Sequence, residues 1–228
     1  MKNIVSVQNI VKTYNMRDGI VYALNDVSFS IKKGDFVSIT GPSGSGKTTL
    51  LLALSGLIRP TSGEIIFENQ HLENAPDKKL AEFRKKHVGF VMQNFSLIPY
   101  MSAIQNVMIP LGLNGHSSAE QQALSSAVLE MVGLENRQNH FPRELSAGQQ
   151  QRVAIARALV NKPTIIFADE PTGNLDPSLS TEILEFLQKI NKELNITIMM
   201  VTHSPQAANF GNVKITLDEG KLINQNLN

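Results

Sequence analysis

Gly41-Pro42-Ser43-Gly44-Ser45-Gly46-Lys47-Thr48 follows G-x-x-x-x-G-K-[ST], a spacing suited to holding a polyphosphate. The glycines let the backbone curl until several N–H groups point at one anion. The run after it, Lys47 to Leu57, has few breakers and many leucines. It predicts a helix whose positive dipole end faces the same anion. Lys47 adds a full charge for the terminal phosphates. The Thr48 hydroxyl suits Mg²⁺, a hard cation that prefers oxygen. Hydrogen bonds to a charged group contribute about 1.5–3 kcal/mol each, so a ring of them holds a triphosphate with little side-chain chemistry.

A second group with chemical potential is Asp169-Glu170, which ends the apolar run Thr164 to Ala168. Adjacent carboxylates repel, so a cation or a chemical task is expected to retain them. Asp169 at a strand end can hold Mg²⁺ through water. Glu170 is then placed to orient or deprotonate an attacking water. The plainer alternative is a strand that ends in a polar turn at Pro171, but a phosphate loop in the same chain argues against it. A third candidate is Leu145-Ser146-Ala147-Gly148-Gln149, ahead of the amphipathic run Gln150 to Leu159. Ser146 with Gln149 three residues later is a capping box, the ordinary way to start a helix. A helix so capped still has N–H groups to offer a phosphate, so the two readings are compatible.

Strand-like and helix-like runs alternate around these residues, which predicts an α/β fold with a mainly parallel sheet. Strands are expected at Ile4–Val11, Val27–Ile31, Phe36–Thr40, Gly63–Phe67, Val88–Met92, Thr164–Ala168, Ile196–Thr202 and Val213–Leu217, with a short polar end from Lys221 onward. Helices are expected near Ala103–Met108, Ser118–Val132, Ala147–Val160 and Pro177–Leu194. The charged stretch from Asp77 to His87 reads as a solvated helix face. No strong strand is expected from Ser102 to about Val160, which suggests an inserted helical lobe, about 93–160, in a core made of residues 1–92 and 161–228.

Composition narrows the function. The 228 residues carry 21 Lys and Arg against 20 Asp and Glu, a net charge of +1, which excludes nucleic-acid binding through bulk charge. Cysteine is absent, which excludes a disulfide framework, a thiolate zinc site and a thiol nucleophile, and suits a reducing cytosol. The N-terminal residues lack the apolar core of a signal peptide. No apolar run approaches the ~20 residues needed to span a bilayer, so any work at a membrane needs a partner that supplies the span.

The order of these motifs, with Gln93 after Val88–Met92 and with Leu175-Asp176 and His203 further on, resembles the ATP-binding subunit of an ABC transporter. The likeness spans nearly the whole chain. Pro171-Thr172-Gly173-Asn174-Leu175-Asp176 and Asn94-Phe95-Ser96-Leu97-Ile98-Pro99 are similar to the lipoprotein-release and macrolide-export branch of that family. Two positions depart from the common pattern: Ala147, where glycine is frequent, and Gln105, where glutamate is more usual.

The resemblance implies a phosphate-loop NTPase core with an N-terminal antiparallel β subdomain and an inserted helical subdomain. It implies ATP and Mg²⁺ as ligands, ATP hydrolysis, a homodimer, and an integral-membrane permease partner holding the chain on the inner face of the cell membrane; no nucleic acid is implied. Gly41 to Thr48, with Thr49, would hold phosphates. Thr48, Gln93 and Asp169 would serve the metal. Glu170, His203 and Gln93 would be catalytic, and Tyr14 would stack on adenine. Ser146, Gly148 and Gln149 would close on the nucleotide of the opposite subunit, which Asp176 also approaches. Export or extraction of a lipoprotein, peptide or hydrophobic drug is the expected task. ATP-driven signalling to a membrane partner without translocation is the alternative, and a soluble nucleotide switch a more distant one. Tyr100, Met101, Ile104, Val107 and Met108 are candidates either for docking the permease or for the core of the helical lobe.

Overall fold

A computed structural model describes residues 3–17 and 19–227. The chain opens with β1 (Asn3–Met16), β2 (Gly19–Lys32) and β3 (Phe36–Thr40), followed by α1 (Lys47–Leu54). Next come β4 (Ser62–Phe67), β5 (Gln70–His71), α2 (Asp77–His87) and β6 (Val88–Met92). Three helices follow: α3 (Ala103–Leu113), α4 (Ser118–Met131) and α5 (Ala147–Leu159). The chain returns through β7 (Ile165–Asp169), α6 (Pro177–Leu194), β8 (Thr197–Val201), α7 (Pro205–Ala208), β9 (Val213–Asp218) and β10 (Lys221–Leu227).

The strands build two sheets. One is antiparallel, in the order β2-β1-β4-β5. The other has the order β10-β9-β3-β8-β7-β6 and is parallel except for β10. Every residue of β8, and all but the last of β3 and β7, is buried. Strands covered on both faces must be apolar throughout, which is why their sequences do not alternate. The α/β class and mainly parallel sheet expected from the sequence are borne out.

Register decides what the sheet can present. Met92 of β6 lies opposite Asp169 of β7, Asp169 opposite Val201 of β8, and Val201 opposite Ile39 of β3. Four strands therefore reach the same row at their carboxyl ends. The chain leaves that row at Gln93, Glu170, Thr202 and Thr40, the last leading into the glycine loop.

Alternate side chains of the parallel sheet enter different cores. Ile165 and Phe167 pack with Ile10, Leu50 and Phe67, under α1 and the antiparallel sheet. Ile166 and Ala168 face the other way, against Ile155 and Leu159 of α5 and Ile183 and Leu187 of α6. A third core, with Ile104, Val107, Leu129, Val153 and Ala156, lies among α3, α4 and α5. Helix α5 contributes to both of the last two. It is apolar on two sides and joins the helical region to the sheet.

Several boundaries differ from the sequence expectation. The first two strands are longer, because residues 13–16 and 19–22 pair with each other as a largely exposed ribbon that carries no burial pattern. Helix α1 stops at Leu54, and Gly56 with φ +67 turns the chain away before Leu57. Helix α3 continues through Pro110 to Leu113, past the expected end at Met108. The polar end from Lys221 is an edge strand on β9. Of the docking candidates, Ile104 and Val107 are buried in the helical core, whereas Tyr100 is 76% exposed.

Phe167 is fully buried in the first core. Phe167→Ala is expected to lower unfolding stability by about 3–5 kcal/mol, read by urea denaturation with the denaturant slope unchanged.

Candidate nucleotide site

The glycine loop is wedged between the two sheets. Gly46 caps the start of α1 with φ +97, and a Cβ there would lie 2.1 Å from the Ala23 carbonyl of β2. A Cβ on Gly41 would lie 2.0 Å from the Leu217 carbonyl of β9. No side chain fits at either place, so the loop backbone reaches the space in front of α1 directly.

Lys47 is only 5% exposed. Its Nζ donates to the carbonyls of Gly41 at 3.0 Å and Pro42 at 2.6 Å. Burial lowers its pKa, while Glu170 and Asp169 act in the opposite direction. Among the described residues no carboxylate forms an ion pair with it. A partly desolvated cation, a helix N-terminus and a glycine cradle therefore converge on one point, where an anion with several oxygens is the matching ligand.

The row of strand ends brings the carboxylates to this cradle. The Thr48 hydroxyl donates toward Asp169, 3.4 Å from each carboxylate oxygen. The Asp169 pKa is raised, first by burial and then by Glu170. Glu170 sits at φ +45, a left-handed conformation uncommon for a residue with a side chain. Its N–H donates to the Val201 carbonyl at 3.0 Å, which carries the β7–β8 pairing one residue further and aims the side chain across the row. One Glu170 oxygen lies 2.8 Å from His203 Nε2. Gln93 is drawn in by the loop after Glu170: its carbonyl accepts from Asn174 Nδ2 at 3.0 Å, and its side chain packs on Gly173. The sequence reading did not include Asn174 in this role, nor Gln151 of α5, which is buried and donates to the Pro171 carbonyl at 2.5 Å. Gln151 is a polar residue on an otherwise apolar helix face, a signal that helical spacing carries.

The donors present fit Mg²⁺. Thr48 and Asp169 offer oxygen only, in front of a polyphosphate cradle. Among the described residues no three His, Asp or Glu side chains cluster as a cage. Magnesium is ordinarily held by one or two protein oxygens, with phosphates and water completing the shell.

The remaining expected residues lie apart from this cluster. Ser146 caps α5, accepting from Gln149 N at 3.3 Å, while Gln149 Oε1 accepts from Ser146 N at 3.0 Å. Gly148 lies against Leu179 of α6, where a Cβ would meet the leucine side chain at 2.6 Å. Asp176 caps α6, accepting from the Ser178 and Leu179 N–H groups and from the Ser178 hydroxyl, which first among these lowers its pKa. Among the described residues none of these side chains hydrogen-bonds to residues 41–49. Ser146 and Asp176 are exposed, whereas Gly148 is buried. Tyr14 is 40% exposed on β1, with Lys12 Nζ 5.2 Å from its ring centre.

The family model for the ABC transporter matches residues 24–173. This chain belongs to the ABC transporter ATP-binding subunits. It is 44% identical over 222 residues to the ABC transporter ATP-binding protein YtrE of Bacillus subtilis, covering 96% of each chain. It is also 45% identical over 208 residues to the macrolide export ATP-binding/permease protein MacB of Syntrophobacter fumaroxidans, covering 90% of this chain and 29% of that protein. Among solved structures it is similar to the dimeric cassette MJ0796 in a post-hydrolysis state bound to ADP and Pi, with a TM-score of 0.90, 43% identity and 98% of each chain covered. The fold of this ABC subunit is thus that of ABC ATPases, and the subunit binds ATP and is an ATPase.

The electrostatics of the ABC subunit carry a pH signature. Asp169 has a folded pKa above its unfolded value, so the folded state binds the proton more tightly. Its ionisation then weakens folding above the folded pKa, and this effect disappears below the unfolded pKa. Asp169→Asn is expected to raise the melting temperature at neutral pH. The gap from the parent should close as the pH falls through the ordinary carboxylate range, as followed by thermal melts across pH.

Proposed function

We propose that the chain powers an ABC-type membrane complex, exporting or extracting a lipoprotein, peptide or hydrophobic drug through an integral-membrane permease. The observation that carries this reading is the 2.8 Å contact between Glu170 and His203, beside the strand-end residue Asp169 that the Thr48 hydroxyl of α1 approaches. A carboxylate held by a histidine beside a phosphate cradle has the geometry of a base for an attacking water. The likeness to a macrolide exporter supports export. Among the described residues no helix is long and apolar enough to cross a membrane, which fits a subunit docked on the inner face through its partner. Tyr100, exposed on the loop ahead of α3, is the apolar side chain best placed for that contact.

In the proposed mechanism Gly41 to Thr49 hold the triphosphate and Lys47 exchanges its carbonyl bonds for the terminal phosphates. Tyr14 offers its ring to the base. Thr48, Asp169 and Gln93 would hold Mg²⁺, which when bound neutralises charge on the phosphates. Glu170 takes a proton from a water as its oxygen bonds to the γ-phosphorus and the bond to the ADP oxygen breaks. His203 keeps Glu170 aimed at that water and donates to the γ-phosphate. A second copy supplies Ser146, Gly148 and Gln149 from the tip of α5, with Asp176 alongside, so two nucleotides are enclosed in a homodimer. Loss of the γ-phosphate removes the bonds that join the copies, and the pair opens.

Glu170→Gln is expected to bind ATP, lose about 10²–10⁴-fold in turnover and persist as an ATP-dependent dimer. Phosphate release and size-exclusion chromatography on the same sample test this. Turnover at the parent rate would remove Glu170 from the chemistry.

A further inference from the structure

Gln93 to Met101 joins β6 to α3 without helix or strand, yet it is firmly tied. Phe95 at φ +60 and Ser96 at φ +48 are consecutive residues in the left-handed region, and neither is glycine. Such a pair is sterically costly and persists only where its surroundings impose it. The agent is on α5. Arg157 donates from Nη1 to the Ser96 carbonyl at 2.6 Å and from Nη2 to the Phe95 carbonyl at 2.8 Å. The planar guanidinium fork matches two successive carbonyls, a pattern that a lysine cannot reproduce. Among the described residues Arg157 has no carboxylate partner, and burial lowers its pKa with no offsetting charge. Its bonds to this turn are therefore its principal compensation. Farther along, the buried Asn106 of α3 donates to the carbonyls of Ile98 and Met101 and accepts from Ile98 N.

We propose that Arg157 is a positioning residue: by holding the strained Phe95–Ser96 turn it fixes Gln93 beside Asp169 and Glu170. The inference rests on the reading that Gln93 serves the metal and the attacking water. The Phe95 N–H donates to the Met92 carbonyl at 3.1 Å, so Gln93 lies inside a turn whose last residue, Phe95, is held by Arg157. The helix that carries Arg157 begins at Ser146. Displacement of the α5 tip by the nucleotide of a second copy would therefore shift Gln93 in the first copy's own site. Gln151, one turn or so from the tip, makes the parallel connection to Pro171, next to Glu170.

The test uses the full chain and compares Gln93→Ala, Arg157→Met, Arg157→Lys, the Gln93→Ala/Arg157→Met double variant, and Arg157→Met with Ser96→Gly. ATP hydrolysis is measured against ATP and against Mg²⁺ concentration. Arg157→Met is expected to lower kcat about 10–100-fold, to nearly the level of Gln93→Ala, with the KM for ATP little changed. The double variant should be no worse than the poorer single, since both act through one group. Arg157→Lys should fall between Met and the parent. Ser96→Gly should restore part of the rate, because glycine adopts the turn without help. Full turnover in Arg157→Met with impaired Gln93→Ala overturns the inference, as do losses that multiply in the double variant. Full turnover in Gln93→Ala instead removes the reading beneath it. If Arg157→Met fails to fold, as judged by thermal melts, Arg157→Lys with and without Ser96→Gly decides by the same kcat criterion.

Discussion

Parallel strands have one hydrogen-bond register, and in this chain that register levels the strand ends and loops that carry Gln93, Asp169, Glu170 and His203 with the start of the glycine loop. Met92, Asp169, Val201 and Ile39 share a row, so the four loops that follow begin level with one another. A one-residue slip of β7 would turn Asp169 to the opposite face of the sheet and exchange the partners of Ile165 and Phe167 for those of Ile166. The cores on the two faces resist such a slip, because both sets of side chains are fully buried. The packing that stabilises the fold and the alignment that makes a site are thus one constraint.

Charge is distributed unevenly across that alignment. Lys47 is sunk among carbonyls on one side, while Asp169 and Glu170 stand next to each other on the other side. Each group is shifted toward neutrality, the cation by desolvation and Asp169 by burial and its neighbour. A polyphosphate with a divalent cation supplies both missing signs, negative to Lys47 and positive to Asp169. At the proposed site binding would offset both shifts, and a neutral ligand of the same shape would offset neither.

Most of the nucleotide-facing group was legible in the sequence because its members lie at the ends of apolar runs or in a glycine pattern. Gly41 to Thr48, Asp169, Glu170 and His203 all have that signal, and the structure places them together. Ser146 was legible as a helix start and stands as the cap of α5, while Asp176, expected only as a contact to a second copy, turns out to cap α6. Tertiary connections were not legible. The bond from Gln151 to Pro171, the bond from Asn174 to Gln93 and the Arg157 fork each depend on which helix packs over which loop. The division of Ile104 and Val107 from Tyr100 was equally hidden, since apolar type alone does not say which residues of a loop and the helix after it face a core. The long β1–β2 ribbon leaves no signal in the sequence, because exposed paired strands need no alternation.

That ribbon has one more effect. Its strand β2 touches the glycine loop through the Ala23 carbonyl, leaving no room even for a methyl group on Gly46. Tyr14 is carried by the neighbouring strand in fixed register with β2. The ring proposed for the base and the strand that abuts the phosphate cradle thus belong to one pair of strands. Under the proposed function such a pair would act as a gauge, gripping both ends of a nucleoside triphosphate at once and leaving free inorganic polyphosphate with only one of its two handholds.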